Sequence, residues 1–430
     1  MKRSFIYFLF FALLFPLASA AQENVQVFKG AKIIPIAGDE IESGVLVIKD
    51  GKISAVGNEE DVSIPSGANV IDASGKVIMP GLVDPHSHIG EGDGGDRSSA
   101  LHPDVRILDA IDPRSDSFNK ALAGGITSVN VMPGSGHLMS GQTVYLKLRD
   151  ANIIEDMLFT DDPEVEVSGG LKMANGTNPI GEGAFPGTRA KSAAMVRDLF
   201  IKALEYRDKI QKADGDPEKM PKRNPGMEAL VEVLEGKRIV HNHTHRHDDI
   251  LTAIRLSEEF GYRLVLHHVS EAWKVADEIA EAGVPASIIV LDSPGGKMEA
   301  VDIRYTNGPE LEEAGALVGY HTDDGITDSR IFLRSAAFEV RAGMSRQKAL
   351  EAVTIANAKM MDIEHRVGTL EKGKDADFVI LSGDPLSVYT HIEQTWVEGR
   401  KRFDRSDPED KKFATGGYDV FRGTFHSHDN

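Results

Sequence analysis

Residues 238–268 read RIVHNHTHRHDDILTAIRLSEEFGYRLVLHH, and this stretch decides the fold. Arg238-Ile-Val-His is a short apolar run that predicts a strand. Asp248 to Leu256 then reads as a helix, with Asp248 and Asp249 at its positive N-terminal end and Ile250, Leu251 and Ile254 on one face. Arg263-Leu-Val-Leu-His is the next strand. Working outward, Glu271 to Ala282 is a predicted helix stopped by Gly283, and Val284 to Leu291 and Ala316 to Tyr320 are two further strands. Strands recurring roughly every 20 to 30 residues are the period of repeated βα units and predict an α/β fold with a parallel (β/α)8 barrel. Val144 to Ala184 offers no secure strand numbering.

The texture changes toward both ends. Val25-Gln-Val-Phe, Gly44-Val-Leu-Val-Ile, Ile53-Ser-Ala-Val and Asn69-Val-Ile-Asp are short strands, and Lys49-Asp-Gly-Lys supplies a hairpin turn between two of them. Asp377-Phe-Val-Ile-Leu and Thr395-Trp-Val-Glu-Gly are strands near the other end, so the two ends are expected to meet in one small β-domain. The first residues carry a basic start at Lys2 and Arg3, an apolar run from Ser4 to Leu17 and the small-x-small sequence Ala18-Ser-Ala, the pattern of a cleaved signal peptide. That pattern implies an exported chain, periplasmic or secreted, with no membrane association after cleavage.

The chain has 430 residues, 41% hydrophobic and 27% charged, ordinary for a globular enzyme. It contains no cysteine, which excludes disulfides, thiolate metal ligands and a cysteine-linked lipid. A formal charge of −19 argues against nucleic acid or anionic lipid as a partner. No glycine-rich phosphate loop precedes a Lys-Ser/Thr pair, so nucleotide hydrolysis is not suggested. A small molecule is the expected partner, and a homo-oligomer is compatible with the sequence.

The residues that carry chemistry are histidines. In Pro80-Gly-Leu-Val-Asp-Pro-His-Ser-His, His86 and His88 alternate along a strand and so share a face, where they could grip one metal ion or form a coincidental surface pair. His241, His243, His245 and His247 alternate at the end of a predicted barrel strand, His267 and His268 end the next, and Tyr320-His-Thr-Asp-Asp ends the last. Barrel strands deliver catalytic groups from their C-terminal ends, so these residues converge on one mouth.

With these motifs the chain resembles the amidohydrolase superfamily, particularly its imidazolonepropionase-like and prolidase-like members, over nearly all of its length. Gly44-Val-Leu-Val-Ile-Lys-Asp-Gly-Lys-Ile-Ser-Ala-Val-Gly and Gly368-Thr-Leu-Glu-Lys-Gly-Lys-Asp-Ala-Asp-Phe-Val-Ile resemble the flanking signatures of that family. The resemblance implies a distorted (β/α)8 TIM barrel over residues 80–365, a composite β-sandwich over 21–79 and 366–404, a leader over 1–20 and a tail over 405–430. It also implies His86, His88, His243, His268 and Asp323 as ligands of one or two divalent ions, with zinc expected. Lys172, in Gly170-Leu-Lys-Met-Ala-Asn-Gly, bridges two ions if carboxylated, as in some members, or contacts substrate or a loop if it is not.

The implied activity is hydrolysis of a carbon–nitrogen bond in an amide, a cyclic amide or a dipeptide. Asp323 is the expected proton carrier, and His268 either a ligand or a polariser of the carbonyl. His137, His245, Arg246 and Lys297 are candidates for substrate contact, with Ser135 and Gln142 in the same loops. Two other readings stay open: a non-catalytic exported barrel that binds metal or solute, and a deaminase on the same scaffold, which would need a further acid that no residue near His243 supplies.

Overall fold

The computed structural model describes residues 25–92, 94–160, 167–289 and 297–417. The predicted leader, residues 292–296 of the loop before Lys297 and the end of the tail lie outside them. Five strands open the chain: β1 (Val25–Ile33), β2 (Ile41–Lys49), β3 (Lys52–Asn58), β4 (Asn69–Asp72) and β5 (Val77–Pro80). The β2–β3 hairpin turns on Asp50 and Gly51 with φ of 52° and 77°, the left-handed pair that an Asp-Gly turn predicts.

A strand–helix succession follows: β6 (Leu82–Ser87), α1 (Asp116–Ala123), β7 (Ile126–Val131), β8 (Met139–Gln142), β9 (Val144–Lys147), β10 (Leu171–Ala174), α2 (Arg189–Ala213) and α3 (Pro225–Leu234). It continues through β11 (Val240–Thr244), α4 (His247–Phe260), β12 (Leu264–His268), α5 (Ala276–Glu281), β13 (Ala286–Ile288), α6 (Asn307–Ala314) and β14 (Val318–Tyr320). After α7 (Arg334–Ala342), α8 (Arg346–Glu351) and α9 (Ile355–Lys359), the chain returns to strands as β15 (Phe378–Leu381), β16 (Ile392–Val397) and β17 (Arg400–Asp404), and α10 (Pro408–Thr415) ends the described part.

The strands from both ends join one eight-stranded sheet, because β15 pairs antiparallel with β5. Phe28, Phe378 and Trp396 pack on it, with Phe378 and Trp396 stacked 5.5 Å apart. The middle of the chain gives an α/β arrangement in which β10, β11, β12, β13 and β14 run parallel in that order, and β6 and β7 are parallel in a second sheet with β9. Asn357 joins the ends of β6 and β14 by donating to the Val83 carbonyl at 2.6 Å and the Tyr320 carbonyl at 2.8 Å.

The predicted helix from Glu271 to Ala282 is instead one 3-10 turn, Ala272–Lys274, followed by the short α5. The side chain of Asn307 takes the Trp273 N–H, and Val275 has φ −139°, outside the helical range, so the chain kinks between the two pieces. Of the two strands predicted after it, the first is seen as Ala286–Ile288, with residues 290 and 291 of the prediction outside the described residues, and the second is shorter, at Val318–Tyr320.

Candidate metal centre

β6, β10, β11, β12 and β14 each direct side chains from their C-terminal ends into one buried space. His86, His243 and His268 are buried there with His245, and Asp323, just after β14, meets the first of these. The backbone turns sharply at two of these strand ends: His268 has φ +70°, Val269 +42° and Asp323 +50°. For a β-branched residue such as Val269 the left-handed region is costly, and strained residues of this kind persist where the surroundings hold them, commonly at functional sites.

One group contains His86, His88 and Asp323. The Nε2 atoms of His86 and His88 are 3.3 Å apart, and Asp323 Oδ1 lies 3.3 Å from the first and 2.9 Å from the second. His88 Nδ1 faces the Met132 carbonyl at 2.8 Å. A carbonyl only accepts, so that nitrogen carries the proton, and in the neutral ring Nε2 presents a lone pair. Two imidazole nitrogens and a carboxylate oxygen facing each other at this range repel unless a cation, a proton or a metal ion, sits among them. Four ligands at ~2.0–2.1 Å around one ion are about 3.3 Å apart, which matches the spacing seen.

The second group is His243, His245 and His268, whose ligand atoms lie within 4.8 Å of one another. Both nitrogens of His243 and the Nε2 atoms of His245 and His268 are buried with no hydrogen-bond partner among the described residues. Burial pushes the pKa values of His86, His243 and His268 well below the ordinary histidine value, and it lowers His245 to about 3. All four are therefore neutral, the form that binds metal. For Asp323, burial acts to raise the pKa, but the imidazoles of His86 and His88 outweigh it and keep the carboxyl ionised. The donor set fits one or two divalent ions.

Lys172 is wholly buried, with Nζ 3.0 Å from His86 Nε2 and 3.0 Å from Met132 Sδ. Burial lowers its pKa to about 7, so a large fraction is free amine at neutral pH. Asp324 faces elsewhere, pairing with Lys120 at 2.7 Å.

The candidate substrate contacts separate. Lys297 Nζ donates to Asn178 Oδ1 at 2.9 Å, and its charge reaches His243 and His245, where it lowers both pKa values. Asn178 in turn donates to Ser135 Oγ at 2.7 Å, so Lys297 and Ser135 share one polar link. His137 is buried against His102 and Phe185, with the Asp96 backbone beside it. Arg246 is engaged by its neighbour, donating twice to Asp248 at 2.9 Å, so the guanidinium expected for substrate pairs an acid of the same loop. Gln142 donates to the Pro103 carbonyl at 3.0 Å and serves the loop.

Asp84, Tyr145 and Ser287 went unrecognised in the sequence, and His241, His267 and His321 stood in the strand-end motifs without an assigned role. Asp84 accepts from Thr322 Oγ1 at 2.6 Å and from the His86 N–H at 3.2 Å, tying the ends of β6 and β14 together. Beneath the ligands, Tyr145 Oη lies 2.9 Å from His241 Nε2, His241 Nδ1 lies 2.9 Å from His267 Nε2, and His321 Nδ1 lies 2.8 Å from Ser287 Oγ. The available signal was the period of two: His241 and His267 belong to the inward alternation of β11 and β12, and His321 lies two residues before Asp323.

An α/β scaffold that gathers histidines and an aspartate at parallel strand ends is an arrangement found in hydrolases built on TIM-barrel-like folds. The comparisons name the family. A model of the amidohydrolase family matches residues 250–403. The crystal structure of an amidohydrolase from Thermotoga maritima MSB8 superposes with a TM-score of 0.81 at 32% identity, covering 88% of this chain and 100% of that one. An imidazolonepropionase from Alkaliphilus metalliredigens (strain QYMF) is 24% identical over 85% of this chain and 91% of its own length. The amidohydrolase tasK of Hapsidospora irregularis is 25% identical over 89% of this chain, which spans 43% of that protein's length. The chain belongs to the amidohydrolase superfamily, and its relatives support a hydrolase that acts on carbon–nitrogen bonds.

Proposed function

We propose that this protein is a metal-dependent hydrolase that opens the amide bond of a small molecule, such as a cyclic amide, a dipeptide or an N-acyl amino acid. The observation that carries the proposal is the convergence of His86, His88 and Asp323, whose facing atoms at 2.9–3.3 Å match the spacing of ligands around one divalent ion. His86, His88 and Asp323 would hold one ion and His243 with His268 a second, while Lys172 ligates only as its carbamate, since an ammonium has no lone pair. A divalent ion bound there supplies Lewis acidity, lowering the pKa of water and polarising a carbonyl.

The protein's own residues do the remaining work. Asp323, ionised and at hydrogen-bond range of the ligand imidazoles, accepts the proton of the attacking water and returns it to the leaving nitrogen. The buried walls limit water and strengthen each electrostatic contact. Lys297, held by Asn178, and His137, buried beside His102, are the side chains we assign to substrate.

The same reading extends to architecture: residues 80–365 form the distorted barrel and 21–79 with 366–404 a composite β-sandwich, supported by the pairing of β15 with β5. It also places the protein outside the cytoplasm on the leader pattern of Met1–Ala20, which N-terminal sequencing of the exported chain checks. The function itself is tested by assaying the purified protein on cyclic amides, dipeptides, N-acyl amino acids and amino-heterocycles, with and without a chelator. Chelator-sensitive amide cleavage supports it; ammonia release from the heterocycles alone would make the protein a deaminase.

A further inference from the structure

The imidazoles at the ends of β11 and β12 form a group of their own, and we propose that His245 is a metal ligand which, with His243 and His268, completes a three-histidine cation site independent of Lys172. This inference rests on the metal-dependent function proposed above.

The ring centroids are 4.7 Å apart for His243 and His245, 4.1 Å for His243 and His268, and 5.1 Å for His245 and His268. Imidazoles bound at ~2.0–2.1 Å to one tetrahedral ion have centroids about 5 Å apart, so small ring movements bring all three onto a common ion. Although His245 follows the last residue of β11, it is fixed in place. The Val269 N–H donates to the Thr244 carbonyl at 2.9 Å, and the Glu271 N–H donates to the His245 carbonyl at 3.0 Å. Those two bonds lock the loop after β11 to the loop after β12.

The second nitrogens of His245 and His268 are also provided for. His245 Nδ1 is held by Ser270 Oγ at 2.7 Å, and His268 Nδ1 faces His321 Nε2 at 3.4 Å, with His321 anchored in turn on Ser287. Engaging Nδ1 of a ligand histidine orients its ring and leaves the Nε2 lone pair for a metal ion. Those Nε2 atoms are the buried nitrogens without partners. Left unpaired, each forfeits the hydrogen bond that water would give it. Three neutral imidazoles without a carboxylate suit zinc, cobalt, nickel or copper and disfavour magnesium or calcium.

The test is cobalt binding by the chelator-stripped full chain, read by metal analysis after desalting and by the visible bands of the bound ion. Wild type and Lys172→Ala are expected to bind two equivalents, and His245→Ala one, its second equivalent weakened at least tenfold. Thermal unfolding of the metal-free proteins checks that each variant folds. If His245→Ala does not, Ser270→Ala is the substitute and should weaken the second equivalent about tenfold or more through the freed ring. Two equivalents with unchanged affinity in His245→Ala, or in Ser270→Ala where that is used, would overturn the assignment. So would loss of an equivalent in Lys172→Ala. A wild-type protein with one equivalent that His245→Ala leaves untouched overturns this inference and spares the proposed function; one that binds no metal overturns both.

Discussion

At the scale of single residues, the account turns on Asp323. Replacing it with Asn keeps its shape and removes its capacity to take a proton, so Asp323→Asn is predicted to retain bound metal and lose roughly 10²–10⁴-fold in kcat, measured on whichever amide the wild type turns over. An Asn variant with wild-type turnover would remove Asp323 from proton transfer. Glu339 of α7 offers a prediction about stability. It is buried, accepts the Gly308 N–H at 3.1 Å, and burial raises its pKa to about 8. Its ordinary carboxyl value, 4.5, applies when unfolded. The folded state therefore holds the proton longer, and the stability this group contributes is full below pH 4.5 and lost as pH rises to about 8. Glu339→Gln, which keeps the acceptor and cannot ionise, should have little effect at pH 5 and raise the unfolding temperature by several degrees at pH 8. An equal change at both pH values would show that Glu339 does not titrate in this range.

Between elements, the strands flanking the site are tied to the terminal sheet by buried charge. Lys147 at the end of β9 is fully buried and pairs with Asp375, with Asp377 at 3.2 Å and with Glu398 at 3.6 Å. Arg366 reaches the same Asp375 at 2.9 Å, and Arg149 binds Glu398 at 2.7 Å. Removing one member leaves buried acids uncompensated, so Lys147→Met is predicted to cost ~3–5 kcal/mol, visible as a lower urea midpoint; a change under about 1 kcal/mol would mean that Arg366 and Arg149 suffice. The links from β9 to this network were not legible beforehand, because Lys147 and Arg149 lie more than 200 residues in sequence from Asp375 and Glu398. Strands and turns with local chemistry were legible: the Asp50-Gly51 hairpin, the β11–α4–β12 succession and the alternation of His86 and His88. Elements decided by tertiary contacts were not, as α5 shows, where Asn307 takes a donor from the predicted helix. The same limit explains Arg246. Its sequence context permits a substrate carboxylate or Asp248 equally, and folding alone brings Asp248 within 2.9 Å.

For the whole molecule, an ion bound at this site would be part of the stability. The folded chain assembles the candidate ligands from β6, β11, β12 and the end of β14, elements that the unfolded chain does not hold together, so metal is predicted to bind the native state preferentially. At a hundredfold excess over Kd this contributes about 2.7 kcal/mol. Zinc added to the stripped protein should therefore raise its unfolding temperature in a concentration-dependent way, whereas magnesium should not. A site assembled only on folding was also the least complete part of the sequence reading. The ligand motifs stood out one by one, but the packing of His245 against His243 and His268 emerges only when the strand ends are set side by side.

The measurement that tests the central claim most directly is reconstitution: remove metal from the full chain with a chelator, return zinc in counted equivalents, and follow hydrolysis of a responsive amide. Metal-dependent hydrolysis predicts that the stripped protein is inactive and that its rate rises with added zinc to a plateau at one or two equivalents per chain. Full activity in the stripped protein would contradict it.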